Sequence, residues 1–396
     1  MVMGGNAFIR SNVTISRIED QLYKQLADAA QQVLNRYYSH VLLPPSAPGK
    51  VNHGDIDLLV SESLETEAKN GKLEDIVGRE LRAQAVFRNN AMTSYAIPHP
   101  TLPDVCVQLD TQLCEPEYLS WVYFITSYGD LVPILGSIHH KFGLIINDKG
   151  FWVQLDLPKT ANMCGIPRAK MVVFLTLEPG KMLEFLGLDA GRYQEGRANE
   201  EEIFEWIRGG KFFRPMSRKT GDATTQSTES KSAKINSNVE TSHPSDTPVP
   251  KRRMLTAFAN YSHNYAATPL SASSPGDIAL EAGKFFDKQQ EYETALRYCL
   301  SEVQDFEFWQ QVRSGLSGNS SRKARIIRSL KKWVVLEDGK PSISEHPVDR
   351  SDVAQGSEAE RTGRLGWIKE HWEEVYEKEK RSAAEASGKS IQHDSQ

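Results

Sequence analysis

The sequence predicts an α+β fold: a small mixed β-sheet with flanking helices, then a disordered linker and a helical C-terminal module. Three observations carry this reading. Apolar residues recur at helical spacing from about 17 to 38, and short β-branched runs follow, beginning with 55–60 (DIDLLV). From 219 to 250 the chain changes to Ser, Thr, Asn, Asp, Lys and Pro with only isolated apolar residues, too few to offset the entropy of ordering. The implied organisation is a domain at 1–215, a linker at 216–275 and a helical module at 276–390.

Each element has its own signal. Ser16 followed by Glu19 reads as a capping box for the first helix, whose Ile18, Leu22, Leu26, Ala29, Val33 and Tyr37 share one face. Pro44, Pro45, Pro48 and Gly49 force a turn before the strand at 55–60. A second helix is expected at 72–86, strands at 93–97 and 105–110 (VCVQLD), and a helical stretch at 131–143. GLIIN and FWVQLD form a hairpin joined at 148–150. Two short helices fill 182–207, the second opened by Asn199 with Glu200, Glu201 and Glu202 in its first turn.

Composition narrows the class. The 396 residues, 39% hydrophobic and 25% charged, suffice for two or so packed domains. Forty-seven Lys and Arg against 52 Asp and Glu give a net charge of −5, so any polyanionic partner must be met by a local patch. No apolar run approaches the ~18 residues of a membrane span, and the first twelve residues lack the pattern of a secretory signal. Cys106, Cys114, Cys164 and Cys299 are scattered without a CxxC pair, which argues against a zinc module or a disulfide framework. The expected compartment is cytoplasmic or nuclear, and PVPKRR at 248–253 resembles a short nuclear-import signal.

The stretch from Gly49-Lys50 to Gly54-Asp55-Ile56-Asp57 carries the chemistry. Residues i and i+2 of a strand share a face, so Asp55 and Asp57 present two carboxylates side by side. Such a pair invites a hard cation, Mg²⁺ or Mn²⁺, with a substrate's phosphates completing the oxygen shell. A third carboxylate from a neighbouring strand would complete a clamp for phosphoryl or nucleotidyl transfer. Asp110, ending VCVQLD, is preferred for it over Asp156, which ends the similar FWVQLD.

On these residues the chain resembles the nucleotidyltransferase superfamily of the DNA polymerase β type: a helix, a phosphate-cradling loop, a strand with Asp-x-Asp and a later strand with a third Asp. GGNAF at 4–8 and SYGDLVPILG at 127–136 extend the likeness, over about 5–215, to nucleotidyltransferase-like proteins of phages and fungi. The resemblance implies that Asp55 and Asp57 bind both metal ions and that Asp110 joins the catalytic one and helps activate the attacking hydroxyl. It further implies that Ser46, Gly49, Lys50 and Gly54 meet the phosphates of a nucleoside triphosphate. The family's Gly-Ser pair reads Pro45-Ser46 here. The rival expectation is therefore a catalytically inactive scaffold of the same fold that binds nucleotides or partners.

Other motifs have plainer readings. His139 and His140 point about 100° apart on a helix, so one packs and one is solvated. His53 is read as a loop residue, and Asp130 as a helix cap. The 320–333 segment holds six basic residues and no acidic one beside an apolar stripe of Ile326, Ile327, Leu330 and Trp333, offering either an RNA-backbone contact or a packed helix. Trp367, Ile368, Trp372, Val375 and Tyr376 give the last helix a side for docking on its own domain or on a protein partner.

Overall fold

The computed structural model describes residues 7–64, 73–196, 198–216, 253–269, 274–349 and 351–386. The chain divides into two units, Met1–Gln154 with Phe174–Lys288, and Leu155–Val173 with Gln289–Gln396.

The first unit opens with β1 (Thr14–Ile15), β2 (Ile18–Glu19), α1 (Asp20–Leu34), β3 (Tyr38–Leu42), β4 (Asn52–His53), β5 (Ile56–Ser63), α2 (Leu73–Glu80), β6 (Ala85–Asn89), β7 (Met92–Pro98) and β8 (Val105–Leu113). Its main sheet runs β3-β5-β8-β7-β6, with β1 also paired to β8. The sheet is mixed: β5 and β8 are parallel, while β3–β5, β6–β7 and β7–β8 are antiparallel.

Helix α1 differs from its expected form in two ways. The capping box does not form: the Ser16 hydroxyl donates to the Arg17 carbonyl, and Glu19 is an N-cap without a side-chain bond. The cause is that Ile18 and Glu19 are drawn into β2, paired with His53 and Asn52 of β4. The buried face of α1 is Tyr23, Ala27, Ala30 and Leu34, one step round from the expected stripe, with Leu22 and Leu26 partly buried and Ala29 exposed. Helix α2 ends at Glu80 because Arg82 takes a left-handed φ of 55° and Ala85–Asn89 become an edge strand.

Strand β5 is buried on both faces over Leu58–Ser61. Ile56, Leu58 and Val60 pack with α1, with Leu73 and Val77 of α2 and with Val107 and Leu109 of β8. Leu59, on the other face, meets Leu119 and Val122 of α3 (Pro116–Thr126). Asp57, two residues earlier on that same face, is open to solvent. One sheet face is thus covered by α1 and α2, and the other is capped by α3 beyond Leu59 and by Phe8 over Ala96 and Cys106, with Asp57 exposed between.

The first unit continues through α4 (Leu131–His139), β9 (Leu144–Asn147), β10 (Gly150–Gln154), β11 (Val172–Thr176), α5 (Pro179–Phe185), α6 (Ala190–Gln194), α7 (Glu200–Arg208), α8 (Arg253–Ser262) and α9 (Pro275–Phe285). The 143–156 hairpin is present as β9–β10, with Gly150 opposite Asn147. Asn199 caps α7 by accepting from Glu202 N, as its sequence implied. The expected linker at 216–275 is replaced at its end by α8, whose Met254 and Phe258 are fully enclosed, Phe258 against Phe204 and Phe213. Its 217–252 and 270–273 portions lie outside the described residues, as does most of PVPKRR. Phe258→Ala should cost about 3–5 kcal/mol of stability, read as a fall in denaturant midpoint at constant slope.

The second unit begins later than 276 and takes in the earlier segment Leu155–Val173. It contains α10 (Gln289–Gly315), α11 (Ser320–Trp333), a hairpin of β12 (Val334–Glu337) and β13 (Lys340–Ile343), and α12 (Glu358–Ala386). Ile326, Leu330 and Trp333 of α11 and Ile368 and Val375 of α12 are buried in one core with Phe308, Trp309 and Val312 of α10, and Trp367, Trp372 and Tyr376 pack at its margin. The apolar sides of both helices are therefore turned into their own unit. Among the described residues, no helix is long and apolar enough to cross a membrane.

A candidate metal centre on two parallel strands

Asp57 sits directly beside Asp110 in the parallel register of β5 and β8, and Asp55 precedes β5 by one residue. One carboxylate oxygen from each of Asp55, Asp57 and Asp110 lies within 4.8 Å of the others. Asp156 is not among them: it is exposed and follows β10, a strand of the separate three-stranded sheet.

The electrostatics are those of like charges held together. Although Asp57 keeps an edge on solvent, the protein packed around its carboxylate removes much of its hydration, and this, then the negative charges of Asp55 and Asp110, push it up to about 7. Burial and the Asp110 charge raise Asp55, against the pull of Lys50 and Arg17. Burial raises Asp110, against the hydrogen-bonding influence of Ser94 and Gln108. Three carboxylates packed this closely favour any species that brings positive charge. Their hard oxygen donors fit Mg²⁺ or Mn²⁺, which are bound through carboxylates and water.

The loop residues singled out from the sequence lie between β3 and β5. Lys50, exposed, is close enough for its charge to act on both Asp55 and Asp57. Gly49 takes φ +70° with open space around it. Ser46 is half-buried beside the Tyr23 phenol, and Gly54 is buried immediately before Asp55.

Three further residues belong to this neighbourhood. Gln108 is fully buried and donates from Nε2 to Asp110 Oδ2 at 2.8 Å and Oδ1 at 3.1 Å, while its Oε1 accepts from Ala7 N. Its signal in the sequence is the strand period of two, which places it on the face of Asp110. Burial, and then the charges of Asp57 and Asp55, hold the Tyr23 phenol above its ordinary value, against the influence of Ser46. Arg17 acts on Asp55 while its guanidinium is held by Asn52. Gln108→Ala should lower divalent-cation affinity about tenfold by freeing the Asp110 carboxylate, measured by titration with Mn²⁺.

The remaining motifs resolve plainly. His139 is buried, with its Nδ1 2.6 Å from the Leu135 carbonyl and its ring edge-on to Phe212, while His140 is exposed. Asp130 does not cap α4 with its side chain and instead accepts from Leu255 N of α8. The SYGD turn abuts the loop: Tyr128 N donates to Pro45 O at 2.7 Å.

No protein-family model matches the chain, and no curated protein matches it. Among solved structures the chain is similar to polymerase β of Leishmania infantum. Against its ternary P/T complex the identity is 14% and the TM-score 0.33, over 44% of this chain and 74% of that one. Against its ternary gap complex the values are 15% and 0.30, over 48% and 67%.

Proposed function

We propose that the protein is a metal-dependent nucleotidyltransferase that moves a nucleoside monophosphate from a nucleoside triphosphate to a hydroxyl acceptor on an RNA end, a protein or a small molecule. The observation that supports this is the cluster of Asp55, Asp57 and Asp110 at the solvent-open part of the sheet, with Lys50 alongside. A bound Mg²⁺ or Mn²⁺ supplies charge neutralisation for the triphosphate and polarises the acceptor oxygen. Asp55 and Asp57 hold it, and Asp110, oriented by Gln108, completes the donor set and draws the proton from the acceptor hydroxyl. The acceptor oxygen bonds to the α-phosphorus as the bond to the bridging oxygen breaks, and pyrophosphate leaves. Lys50 and the loop donors Ser46, Gly49 and Gly54 neutralise and orient the phosphates, which is where such catalysis draws most of its rate.

An RNA acceptor would be met through phosphate contacts. Arg322, Arg325 and Arg328 are exposed on α11, whereas Lys331 and Lys332 are engaged by Asp305 and Glu379. The reading is tested by pyrophosphate release from each ribonucleoside triphosphate with Mg²⁺ or Mn²⁺, with total RNA or protein extract as acceptor. Release by the wild type and none by Asp55→Ala/Asp57→Ala supports the transferase. No release and no metal-dependent triphosphate binding leaves the inactive scaffold.

A further inference from the structure

The loop between β3 and β5 contains a tight turn. Pro48 follows Ala47, Gly49 takes φ +70°, and Lys50 N donates to Ala47 O at 3.2 Å. Proline at the second place, a left-handed glycine at the third and that closing bond make a type II turn. Pro48 is buried whereas Gly49 and Lys50 are exposed, so the turn rests on its first half and carries Lys50 outward.

Ala47 lies against a second turn, Tyr128-Gly129-Asp130, which joins α3 to α4. Tyr128 at φ 56° and Gly129 at φ 63° are both left-handed, and among the described residues Tyr128 is the one aromatic residue in that region. Bulky side chains are strained there, and such strain persists only where the surroundings hold it. Tyr128 N donates to Pro45 O at 2.7 Å, and the Tyr128 hydroxyl donates to the Tyr193 carbonyl of α6 at 3.3 Å, with the two rings edge to face. Asp130 Oδ2 accepts from Leu255 N of α8 at 3.3 Å. At Gly129 the fit between the turns is closest: a Cβ there would lie 2.9 Å from the Ala47 Cβ and 3.7 Å from its Cα. Carbon atoms pack at about 3.5–4.0 Å, so one turn would have to move by roughly half an ångström or more. The second turn is tied to α6 and α8, whereas the first has an exposed tip. The turn that carries Lys50 is the one to shift.

We propose that Gly129 is a positioning residue for the triphosphate: its missing side chain seats Ala47, and Ala47 sets the turn that presents Lys50 to the phosphates. The ligand in this inference rests on the nucleotidyltransferase reading, and the test separates the two.

Full-length wild type, Gly129→Ala, Ala47→Gly and the double variant are compared for Mn²⁺ affinity, metal-dependent pyrophosphate release and the rate of tryptic cleavage after Lys50. Gly129→Ala should lower release about 10²-fold, the cost of a misplacement near 1 Å, and speed cleavage, while Mn²⁺ affinity, set by β5 and β8, matches the wild type. The double variant keeps the left-handed strain at 129 and lacks the crowded Cβ at 47. Gly129→Ala should therefore cost far less release in the Ala47→Gly background than in the wild type, and cleavage should slow again. Should Gly129→Ala fail to fold, recovery of the fold in the double variant carries the same comparison. An equal loss in both backgrounds, no loss in either, or a loss only in proportion to that of Mn²⁺ affinity overturns the proposal and leaves the transferase reading standing. A wild type that binds Mn²⁺ but releases no pyrophosphate overturns the transferase reading and, with it, the part assigned to Gly129.

Discussion

Asp57→Ala should lower metal-dependent pyrophosphate release by ~10³-fold or more, because it removes the carboxylate at the centre of the donor set. Asp57 lies beside Asp110 in the sheet register and two residues from Asp55, so no other side chain of the cluster can take its place. The variant should nonetheless fold. Ile56 and Leu58, which flank it, face the covered side of the sheet, whereas Asp57 itself is open to solvent. Circular dichroism and denaturant unfolding beside the activity assay distinguish lost chemistry from lost structure. An Asp57→Ala protein with wild-type turnover would remove the cluster from the reaction.

The second large effect is on pH dependence. Asp57 is raised from its ordinary carboxylate range to about 7 by lost hydration and by Asp55 and Asp110. A raised folded-state value means that the native protein holds its proton more tightly than the unfolded chain. The associated stability is complete below about pH 4 and is lost as the pH rises through about 7. Metal-free wild type should therefore lose stability relative to Asp57→Asn across that window, and the gap in Tm between the two should widen from about pH 5 to pH 8. Divalent-cation affinity should rise over the same range, since the ion competes with that proton. A thermal melt series at four or five pH values, with and without Mg²⁺, measures both. A constant gap in Tm would show that Asp57 titrates alike in the folded and unfolded chains.

The carboxylate cluster was legible because strand geometry is local. Asp55 and Asp57 stand two apart, and the Val-rich run before Asp110 marks a buried strand. Asp110 could be preferred over Asp156 for its place soon after the first strand, but the pairing of β5 with β8 that sets it beside Asp57 is a long-range choice that periodicity does not encode. Helix α3 went unread for a related reason: PEYLSWVYFIT is apolar on nearly all sides, so no helical stripe stands out from the background. The capping box at Ser16 and Glu19 failed because β4, more than thirty residues later, claims the backbone of Ile18 and Glu19. Tyr23 escaped notice because an aromatic residue on a helix face reads as core, and its stack on His53 joins two segments thirty residues apart. Helix α8, placed after a long polar tract, went unread because Arg253–Ser262 offers only a short apolar stripe of Met254 and Phe258.

On the nucleotidyltransferase reading, Asp55, Asp57 and Asp110 form one divalent-cation site coupled to triphosphate binding. The most direct test is an electron paramagnetic resonance titration with Mn²⁺ at about pH 8, above the value to which Asp57 is raised, on wild type and Asp57→Asn with and without a non-hydrolysable nucleoside triphosphate. Wild type should bind Mn²⁺, triphosphate should tighten this binding and Mn²⁺ tighten triphosphate binding by the same factor, and Asp57→Asn should lose both. Mn²⁺ binding that is absent from the wild type, or unchanged by Asp57→Asn, would contradict it.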